Sequence, residues 1–323
     1  MTFLIRKSVV LAKIEASYGT DAAPGAADAI LVSNLEPPRL QADSIDRELI
    51  RPYLGASEQL VGTRRVEIAF TVELAGSGTP DQPPAWGALL RACGYAETVV
   101  PAGTGITPRV EYTPVSDGFE SLTIHWYGGG VVHKIVGARG TAEIDMTIGQ
   151  RPTARITLTG LDAGVVTGAP PAADYGAWRK PVPVAPGQTG NLLLGAGYAN
   201  GALSGGTAWP SRGIQINLGN EVAHVPLIGG EEVIIRARTV TGQVALDLSD
   251  AERKSLYDQV IANGTSAVGF SVGTQPGATI LVHAPAAQLT QPQNVDQEGL
   301  LLTQYDLRLV PQSGDDEIII VHA

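Results

Sequence analysis

Cysteine, basic residues and long apolar runs are the features in which this sequence is poor. Its single cysteine, Cys93, excludes an internal disulfide and a cysteine-rich zinc site. Lys and Arg total 22 against 32 Asp and Glu, a formal charge of −10, and because gripping phosphate requires clustered cations this balance argues against a nucleic-acid-binding protein. No apolar run has the length of a membrane span or a secretory signal, so we expect a protein that stays in the cytoplasm in which it is made.

Sequence motifs of catalysis and metal binding are also missing. The five histidines lack the spacing of metal ligands such as HExxH, and no GxSxG nucleophile elbow occurs. The triplet Gly128-Gly129-Gly130 is not followed by the Lys and Ser or Thr of a phosphate-binding loop. We interpret the acidic run at residues 315–317 as a solvated turn, since EF-hand spacing is absent. The sequence therefore predicts a protein that is not an enzyme and that holds no metal or other cofactor.

Glycine and proline are abundant, and they punctuate short stretches in which apolar and polar residues alternate. The chain contains 39 glycines and 22 prolines, and hydrophobic residues make up 44 %, enough for a full core. This pattern predicts an all-β fold, an antiparallel β-sandwich or barrel. Two short helices are predicted within it, one over residues 86–93 and one after Ser249, which forms a capping box with Glu252. On the apolar face of the first helix we expect Cys93 to be a small buried hydrophobe.

The most regular alternation lies at residues 66–74, which predicts a strand with five buried apolar side chains. A half-polar partner strand is predicted at residues 40–54. The loop between them, residues 55–62, contains Leu60 and Val61 near its tip. Loops in water are ordinarily polar, so an apolar tip indicates a surface for a partner. The alternative is a loop folded back onto its own core.

We expect a single β domain over residues 1–323. Residues 1–20 are interpreted as an extended N-terminal arm, and a short strand at residues 31–35 is predicted to stop at Pro37-Pro38. Residues 162–213, rich in glycine, alanine and proline, are predicted to form a long loop or surface insertion that serves in strand exchange or as a contact arm. The two halves of the chain share a plan of strand pair, short helix and further strands, which hints at duplication.

Five segments, in order along the chain, carry a resemblance to a known family. They are RKSVVLAKIEASYGTDAAP, LVSNLEPPRL, PAWGALLRACGYAET, INLGNEVAHVPLIGGEEVIIRARTVTGQVALDL and DDEIIIVHA. Together with the hairpin region they resemble the major tail tube protein of long-tailed, non-contractile bacteriophages. The resemblance covers most of the chain and implies a β-sandwich or barrel subunit. It implies that six subunits form a ring and that rings stack into a tube through which DNA leaves the capsid, so the protein is expected in the virion after assembly in the host cytoplasm.

The resemblance also assigns candidate contact residues. The long hairpin loop through which family members reach adjacent rings maps onto residues 51–65, and the terminal arm maps onto residues 1–13. The candidate inter-ring contacts are Arg51, Tyr53, Leu54, Leu60, Val61, Arg64 and Arg65. The candidate arm contacts are Leu4, Arg6, Val9, Val10 and Leu11. The implied partners are further copies of the chain and the tape measure, tail terminator and distal tail proteins, while DNA passes through the lumen without specific binding and no membrane takes part.

Net charge suits such a conduit, and two alternative functions stay open. The formal charge of −10, multiplied around a ring, predicts a net acidic lumen that repels phosphate. A carbohydrate-binding or adhesin-like β-sandwich would also be acidic and rich in glycine. A glycan-active enzyme would need two carboxylates about 5–9.5 Å apart, which no pattern in the sequence shows or excludes.

Overall fold

The central strand of the fold is the one in which the sequence alternates most strictly. In the computed structural model, which describes residues 4–323, this strand runs over Leu60–Glu73. Alternate side chains from Val66 to Leu74 are at most 2 % exposed, whereas on the other face Glu67, Thr71 and Glu73 stay partly exposed and only the small Ala69 is buried. The prediction of five buried side chains on one face is therefore confirmed.

The strands are numbered in chain order among the described residues. Those of the first half are β1 (Val9–Ile14), β2 (Ala29–Ile30), β3 (Val32–Ile45), β4 (Leu60–Glu73), β5 (Tyr95–Val100), β6 (Arg109–Pro114), β7 (Leu122–Gly128), β8 (Val131–Thr147) and β9 (Thr153–Thr167). Those of the second half are β10 (Leu192–Ala199), β11 (Ala202–Trp209), β12 (Ser211–Asn217), β13 (Asn220–Leu227), β14 (Gly230–Arg238), β15 (Thr241–Leu246), β16 (Thr265–Val272), β17 (Ile280–Gln297), β18 (Leu300–Leu309) and β19 (Ile319–His322). The helices are α1 (Gly87–Ala92) and α2 (Asp250–Ile261), with short 3₁₀ turns at Ile5–Lys7 and Ala26–Asp28. The prediction of an antiparallel all-β fold with two short helices is confirmed.

Both helices follow from local signals. At the start of α2 the backbone N–H of Ser249 donates to the Glu252 carboxylate at 2.8 Å, which completes the predicted capping box. Helix α1 buries Leu89 and Leu90, and Cys93 at its end is fully buried, as expected for a small hydrophobe.

Strand β3 corrects the predicted first strand of the long hairpin. It continues through Pro37 and Pro38, so the prediction of a strand that stops before the prolines is wrong. The predicted partner strand over residues 40–54 is confirmed for residues 40–45, which pair with β4, and is wrong for residues 46–54. Its register against β4 shifts on either side of Glu36, which marks bulges. Because the strand registers pair β3 only with β4 among the described residues, a proline that cannot donate to a second neighbour is tolerated there.

The prediction of a long loop over residues 162–213 is also wrong for most of that region. Strand β9 continues to Thr167, and β10, β11 and the start of β12 fill the second half of this region. These strands are rich in small residues, and Gly205 and Gly206 adopt positive φ, so the usual alternation of large apolar and polar residues is missing. Irregular chain is confined mainly to residues 168–191, where the Trp178 indole donates to the Ala29 carbonyl at 2.9 Å.

The N-terminal arm is shorter than the sequence predicts. Strand β1 pairs with both β2 and β7 of its own chain, and Val10 and Leu11 are 0 % exposed. An extended arm over residues 1–20 is therefore wrong for residues 9–14, because this apolar run completes the core of its own subunit. Residues 1–3 of the predicted arm lie outside the described residues.

Eight strands form one continuous antiparallel sheet in the order β3-β4-β9-β8-β12-β15-β18-β17. Its apolar face contributes to one core that also contains α1, β1, β6 and β19. Because directions alternate from strand to strand, β4 and β15 run parallel to each other. The β3–β4 and β12–β15 connections therefore leave the same end of the sheet, and the β8–β9 and β17–β18 turns leave the other.

The strand order of the first half repeats in the second. The order β2-β1-β7-β8-β9-β4-β3 is matched by β11-β10-β16-β17-β18-β15-β12. In both halves four strands, a helix and three strands follow one another along the chain, with β5–β6 added after α1 and β13–β14 added between β12 and β15. The duplication that the sequence hinted at is thus a repeat of strand topology. The pairing of β12 with β8 joins the two repeats into one sheet.

Candidate functional site

The face of the eight-stranded sheet that points away from the core carries two rows of polar side chains. Directly paired residues point to the same face, so the strand registers define each row. The first row crosses all eight strands and consists of Ser33, Thr71, Arg155, Glu143, Asn217, Thr241, Arg308 and Gln288. The second row crosses seven strands and consists of Glu73, Thr153, Asp145, Gln215, Gln243, Asp306 and Thr290. This face of the sheet therefore carries polar side chains from one edge to the other.

These rows have an acidic excess, with four carboxylates and two guanidinium groups. The Gln215 amide donates to Asp145 at 3.2 Å, and the Gln243 amide donates to Asp306 at 3.1 Å. The Arg155 guanidinium donates to Glu36 on β3 at 2.5 Å. Because the two rows contain only two cations, of which Arg155 is paired with Glu36, these rows lack the cationic cluster by which proteins hold phosphate.

The β3–β4 hairpin projects beyond the sheet and ends in an exposed apolar tip. Residues 46–59 have no regular secondary structure, and their base is closed by the direct pairing of Ile45 with Leu60. Ile50 is 102 % exposed and Leu54 104 %, and Tyr53 is also exposed. The prediction that Leu60 and Val61 lie near the tip of a loop over residues 55–62 is wrong, because both are exposed residues at the start of β4. The alternative of a loop folded back onto its own core is therefore wrong.

Internal polar contacts hold the base of this tip together. Arg47 pairs with Glu58, and the Gln59 amide donates to Asp46 at 2.5 Å. Thr63 donates to Asp43, and this hydrogen bond, together with the nearby Arg65, lowers the pKa of the Asp43 carboxyl. These contacts hold the two ends of the loop together, whereas its apolar residues remain exposed to solvent.

The three candidate arginines have partners in their own chain. Arg64 lies 3.6 Å from Asp162, and Arg65 lies 3.6 Å from Asp43. The Arg51 guanidinium lies 5.9 Å from the centre of the Tyr53 ring, which makes a cation–π contact at the tip. Arg64 and Arg65 therefore brace the hairpin on its own subunit, and the apolar residues are the stronger contact candidates.

A second apolar tip, which sequence reasoning missed, lies at the turn between β13 and β14. Leu227 is 70 % exposed and Ile228 110 %. The hairpin occupies the β12–β15 connection, which corresponds in the repeat to the β3–β4 connection that carries the first tip. The sequence LIGG, between two short stretches in which apolar and polar residues alternate, could have predicted this tip. An apolar pair beside a glycine turn is unusual in a loop exposed to water.

Arg139 anchors this second hairpin to the body of the subunit. Its guanidinium donates to Glu232 at 2.8 Å and to the Val233 carbonyl at 2.7 Å, and it lies 4.8 Å from the centre of the Tyr18 ring. The Tyr18 hydroxyl oxygen also contacts this hairpin, because it accepts a hydrogen bond from the Val233 N–H at 2.5 Å. A buried arginine with this many partners fixes where the hairpin leaves the sheet.

Of the predicted arm contacts, only those before β1 are fully accessible. Leu4 and Arg6 are exposed, and Val9 is half-buried at the first position of β1. The prediction that Val10 and Leu11 are arm contacts is wrong, because their side chains lie inside the subunit and are unavailable to another copy.

The described residues offer little for catalysis or metal binding. Within residues 4–323 no group of three or more His, Cys, Asp or Glu side chains is arranged to hold a metal ion. Burial raises the pKa of the Cys93 thiol to about 12, which leaves it protonated and unreactive at neutral pH. Over the same residues, no helix combines the length and apolar character needed to cross a lipid bilayer.

Over residues 4–323 the chain is an antiparallel β subunit with a polar sheet face and two projecting apolar hairpins, which fits the class of structural proteins. A family model described as phage tail tube protein matches residues 5–305. The chain belongs to this family and is a structural component of the virion tail. No curated protein sequence matches it.

Proposed function

We propose that this protein forms closed rings that stack into the tail tube of a long, non-contractile-tailed phage, and that the polar face of the eight-stranded sheet lines the lumen through which DNA passes. The observation that carries this is the pair of polar rows that runs from edge to edge of the sheet. A wall facing a water-filled channel must be polar along its whole width, whereas its other face can be buried in a core.

The acidic excess of these rows supports a lumen that DNA crosses without being held. Binding of duplex DNA depends on cations that neutralise phosphates, and each contact released on ejection would slow the passage. Four carboxylates on the two rows, repeated around a ring, oppose such binding, and one of the two arginines, Arg155, is paired with Glu36.

Stacking of rings is assigned to the apolar tip at residues 46–59. Burying Ile50, Tyr53 and Leu54 on the next ring would contribute roughly 1.5–3 kcal/mol each before ordering costs. Exposed ion pairs are worth only about 0–1 kcal/mol, so Arg51 is expected to affect orientation more than strength.

The remaining parts of the assembly rest on the resemblance. Six subunits in a ring, and contacts with tape measure, tail terminator and distal tail proteins at the ends of the tube, are the expected arrangement, with assembly in the host cytoplasm. The family assignment favours this function over a carbohydrate-binding or adhesin-like module.

The test is to replace residues 46–59 by a two-residue Asn-Gly turn between the paired residues Ile45 and Leu60. We expect a folded subunit with unchanged circular dichroism and melting temperature, because the tip is outside the core. Negative-stain micrographs should show rings but no tubes, whereas the unaltered protein should form tubes at the same concentration. Normal tubes from the shortened chain would contradict the role of the tip, and a strictly monomeric parent protein at high concentration would contradict ring formation.

A further inference from the structure

The β17–β18 turn (residues 296–301) and a cavity at the opposite end of the sheet are complementary in apolar character and in charge. We infer that this turn, on a copy in one ring, docks in the cavity of a copy in the next ring. The contact is separate from the hairpin tip at residues 46–59. The inference rests on the proposed stacking of rings and assigns a second pair of surfaces to it.

The turn projects from the sheet and carries two apolar side chains. Strand β15 pairs with β18 only as far as Thr303, whereas the pairing of β17 with β18 continues to Gln297 and Leu300. Leu300 is 53 % exposed and Leu301 48 %. Turns in water are ordinarily polar, so two adjacent leucines at this place indicate a surface that a partner covers.

The same turn is acidic and has a defined conformation. Residues 296–301 contain two exposed carboxylates, Asp296 and Glu298, and no cationic side chain. The Gly299 N–H donates to the Asp296 carboxylate at 2.8 Å, and Glu298 and Gly299 form a two-residue turn with positive φ at both positions. Because the turn is already ordered, docking it costs little conformational entropy.

The cavity has a volume of about 490 Å³ and lies between the end of β14, the end of β18 and the loop over residues 310–317. Pockets that hold ligands typically have volumes of about 300–1,000 Å³. Phe119, Ile235 and Leu309 form apolar parts of its wall. An apolar turn therefore finds apolar partners in this cavity.

Cationic side chains outnumber carboxylates in the wall of the cavity. The cations are Arg236, Arg238 and Arg308, and the carboxylates are Asp315 and Glu317. Arg238 is bound to both carboxylates, because it donates to Asp315 at 2.9 Å and pairs with the buried Glu317. The wall thus has a cationic excess in a chain whose formal charge is −10, which suits an acidic turn.

Arg308 is the cation most available to the docked turn. Arg236 lies 2.9 Å from Glu221, which is outside the cavity. Arg308 is exposed and has no ion-pair partner among residues 4–323. Glu298 at the apex of the turn is exposed as well, so these two side chains are the expected ion pair of the contact.

The turn and the cavity lie at the two ends of the same strand. Strand β18 has 10 residues, with Leu300 at the turn and Leu309 at the cavity, so the two places are roughly 30 Å apart. One chain therefore cannot make this contact with itself. Copies that follow one another along β18 bring the turn of one to the cavity of the next, and repetition of a contact between two different surfaces builds an open stack.

Disulfide trapping tests the inference, because the single native cysteine is buried and unreactive. Leu301→Cys is combined with Thr239→Cys or with Pro311→Cys, two exposed positions at the cavity. A disulfide requires Cα atoms within about 7 Å of each other, so neither pair can close inside one chain. The matched control combines Leu301→Cys with Ile106→Cys, an exposed apolar position at the β5–β6 turn.

We expect mild oxidation of tubes to link most chains of at least one turn–cavity pair into oligomers larger than a ring on non-reducing gels, with less than a tenth of the control linked. When residues 46–59 are also replaced by the Asn-Gly turn, the separate rings should stay unlinked. Tubes without a turn–cavity cross-link, or a control that cross-links equally, would overturn this contact and leave the tube function intact. A parent protein that forms no tubes would overturn the contact and the proposed function together.

Charge exchange tests the same contact without cysteine. Glu298→Lys and Arg308→Glu should each raise the protein concentration at which half of the rings are in tubes by about fivefold, because each change brings like charges together. The two changes combined should restore this concentration to within about twofold of the parent value, and Asp258→Lys on α2 should leave it unchanged. Single variants that assemble like the parent, or a double variant in which the losses add, would overturn the contact.

Discussion

Asn217 of β12 lies directly opposite Glu143 of β8, and this pair lies at the junction where the two repeats become one sheet. Across the junction the register stays unbroken for five residues, so the polar row of the first repeat runs into that of the second. The described subunit therefore contains a sheet twice as wide as that of one repeat, with β3 at one end and β17 at the other.

Removing apolar groups from the hairpin tip should abolish stacking without affecting folding. Ile50→Ser combined with Leu54→Ser is expected to leave the melting temperature within about 2 °C, because changes at exposed sites are usually within ±0.5 kcal/mol. Sedimentation should show rings in place of tubes. Ile106→Ser, an exposed apolar change at the β5–β6 turn, is the control and should keep tubes. Equal tube lengths for both variants would contradict the prediction.

Reversing charge on the polar rows should make the tube bind DNA. Glu143→Lys combined with Asp145→Lys places two cations per chain on the proposed lumen wall. We expect tubes of this variant to retain duplex DNA in filter-binding assays at 50 mM salt and to release it as salt rises, since counterion release governs such binding. Asp117→Lys with Asp258→Lys makes the same charge change at exposed sites away from the rows. If the control tubes bind DNA as strongly, the rows do not line the lumen.

The free energy of unfolding should decrease as the pH is lowered, because of a buried histidine. The Ser77 N–H donates to His322 Nε2 at 3.0 Å, and the ring is fully buried near the C-terminus. Burial lowers the pKa of His322 below its ordinary value near 6.5, although the carbonyls of Gly277 and Pro80 oppose the shift. The folded state thus binds fewer protons than the unfolded state just below pH 6.5, so protonation on unfolding destabilises the fold as the pH falls.

The expected loss is at most about 1.4 kcal/mol per pH unit for this residue below pH 6.5, and none above about pH 7.5. Burial also lowers the pKa of His125 and of His283, which adds slope of the same sign. Urea unfolding between pH 7.5 and 5.5 measures the effect. His322→Asn cannot titrate and should show a shallower pH dependence than the parent; an unchanged slope would count against the assignment.

Glu15 should be one of the largest single contributors to subunit stability. Its carboxylate accepts hydrogen bonds from the Gly19 N–H at 2.8 Å, the Ser121 hydroxyl at 2.6 Å, the Thr123 hydroxyl at 2.9 Å and the Gly137 N–H at 2.8 Å. Glu15→Ala leaves these donors without their partner, so we expect a loss of about 3 kcal/mol or more in the free energy of unfolding. Glu48→Ala at the exposed tip should change it by less than about 0.5 kcal/mol. A small effect of the Glu15 change would show that water replaces the carboxylate.

The sequence by itself determined the elements in which local pattern and environment agree. Residues 66–74 alternate because one face is in a core and the other is not, and the Ser249–Glu252 capping box specifies a helix start through contacts three residues apart. The resemblance likewise pointed to the hairpin loop, and Tyr53 and Leu54 lie on its exposed tip.

Only the tertiary structure decided the rest, because it depends on neighbours distant in the chain. Strand β3 passes through Pro37 and Pro38 because its outer side has no partner within the described subunit, which no local pattern reveals. The local sequence around Val10 and Leu11 predicts part of an arm. Their place in the core depends on pairing with β7, which lies more than 100 residues later in the chain. The polar rows are assembled from single residues on strands spread over the chain, so their continuity exists only in the register of the sheet.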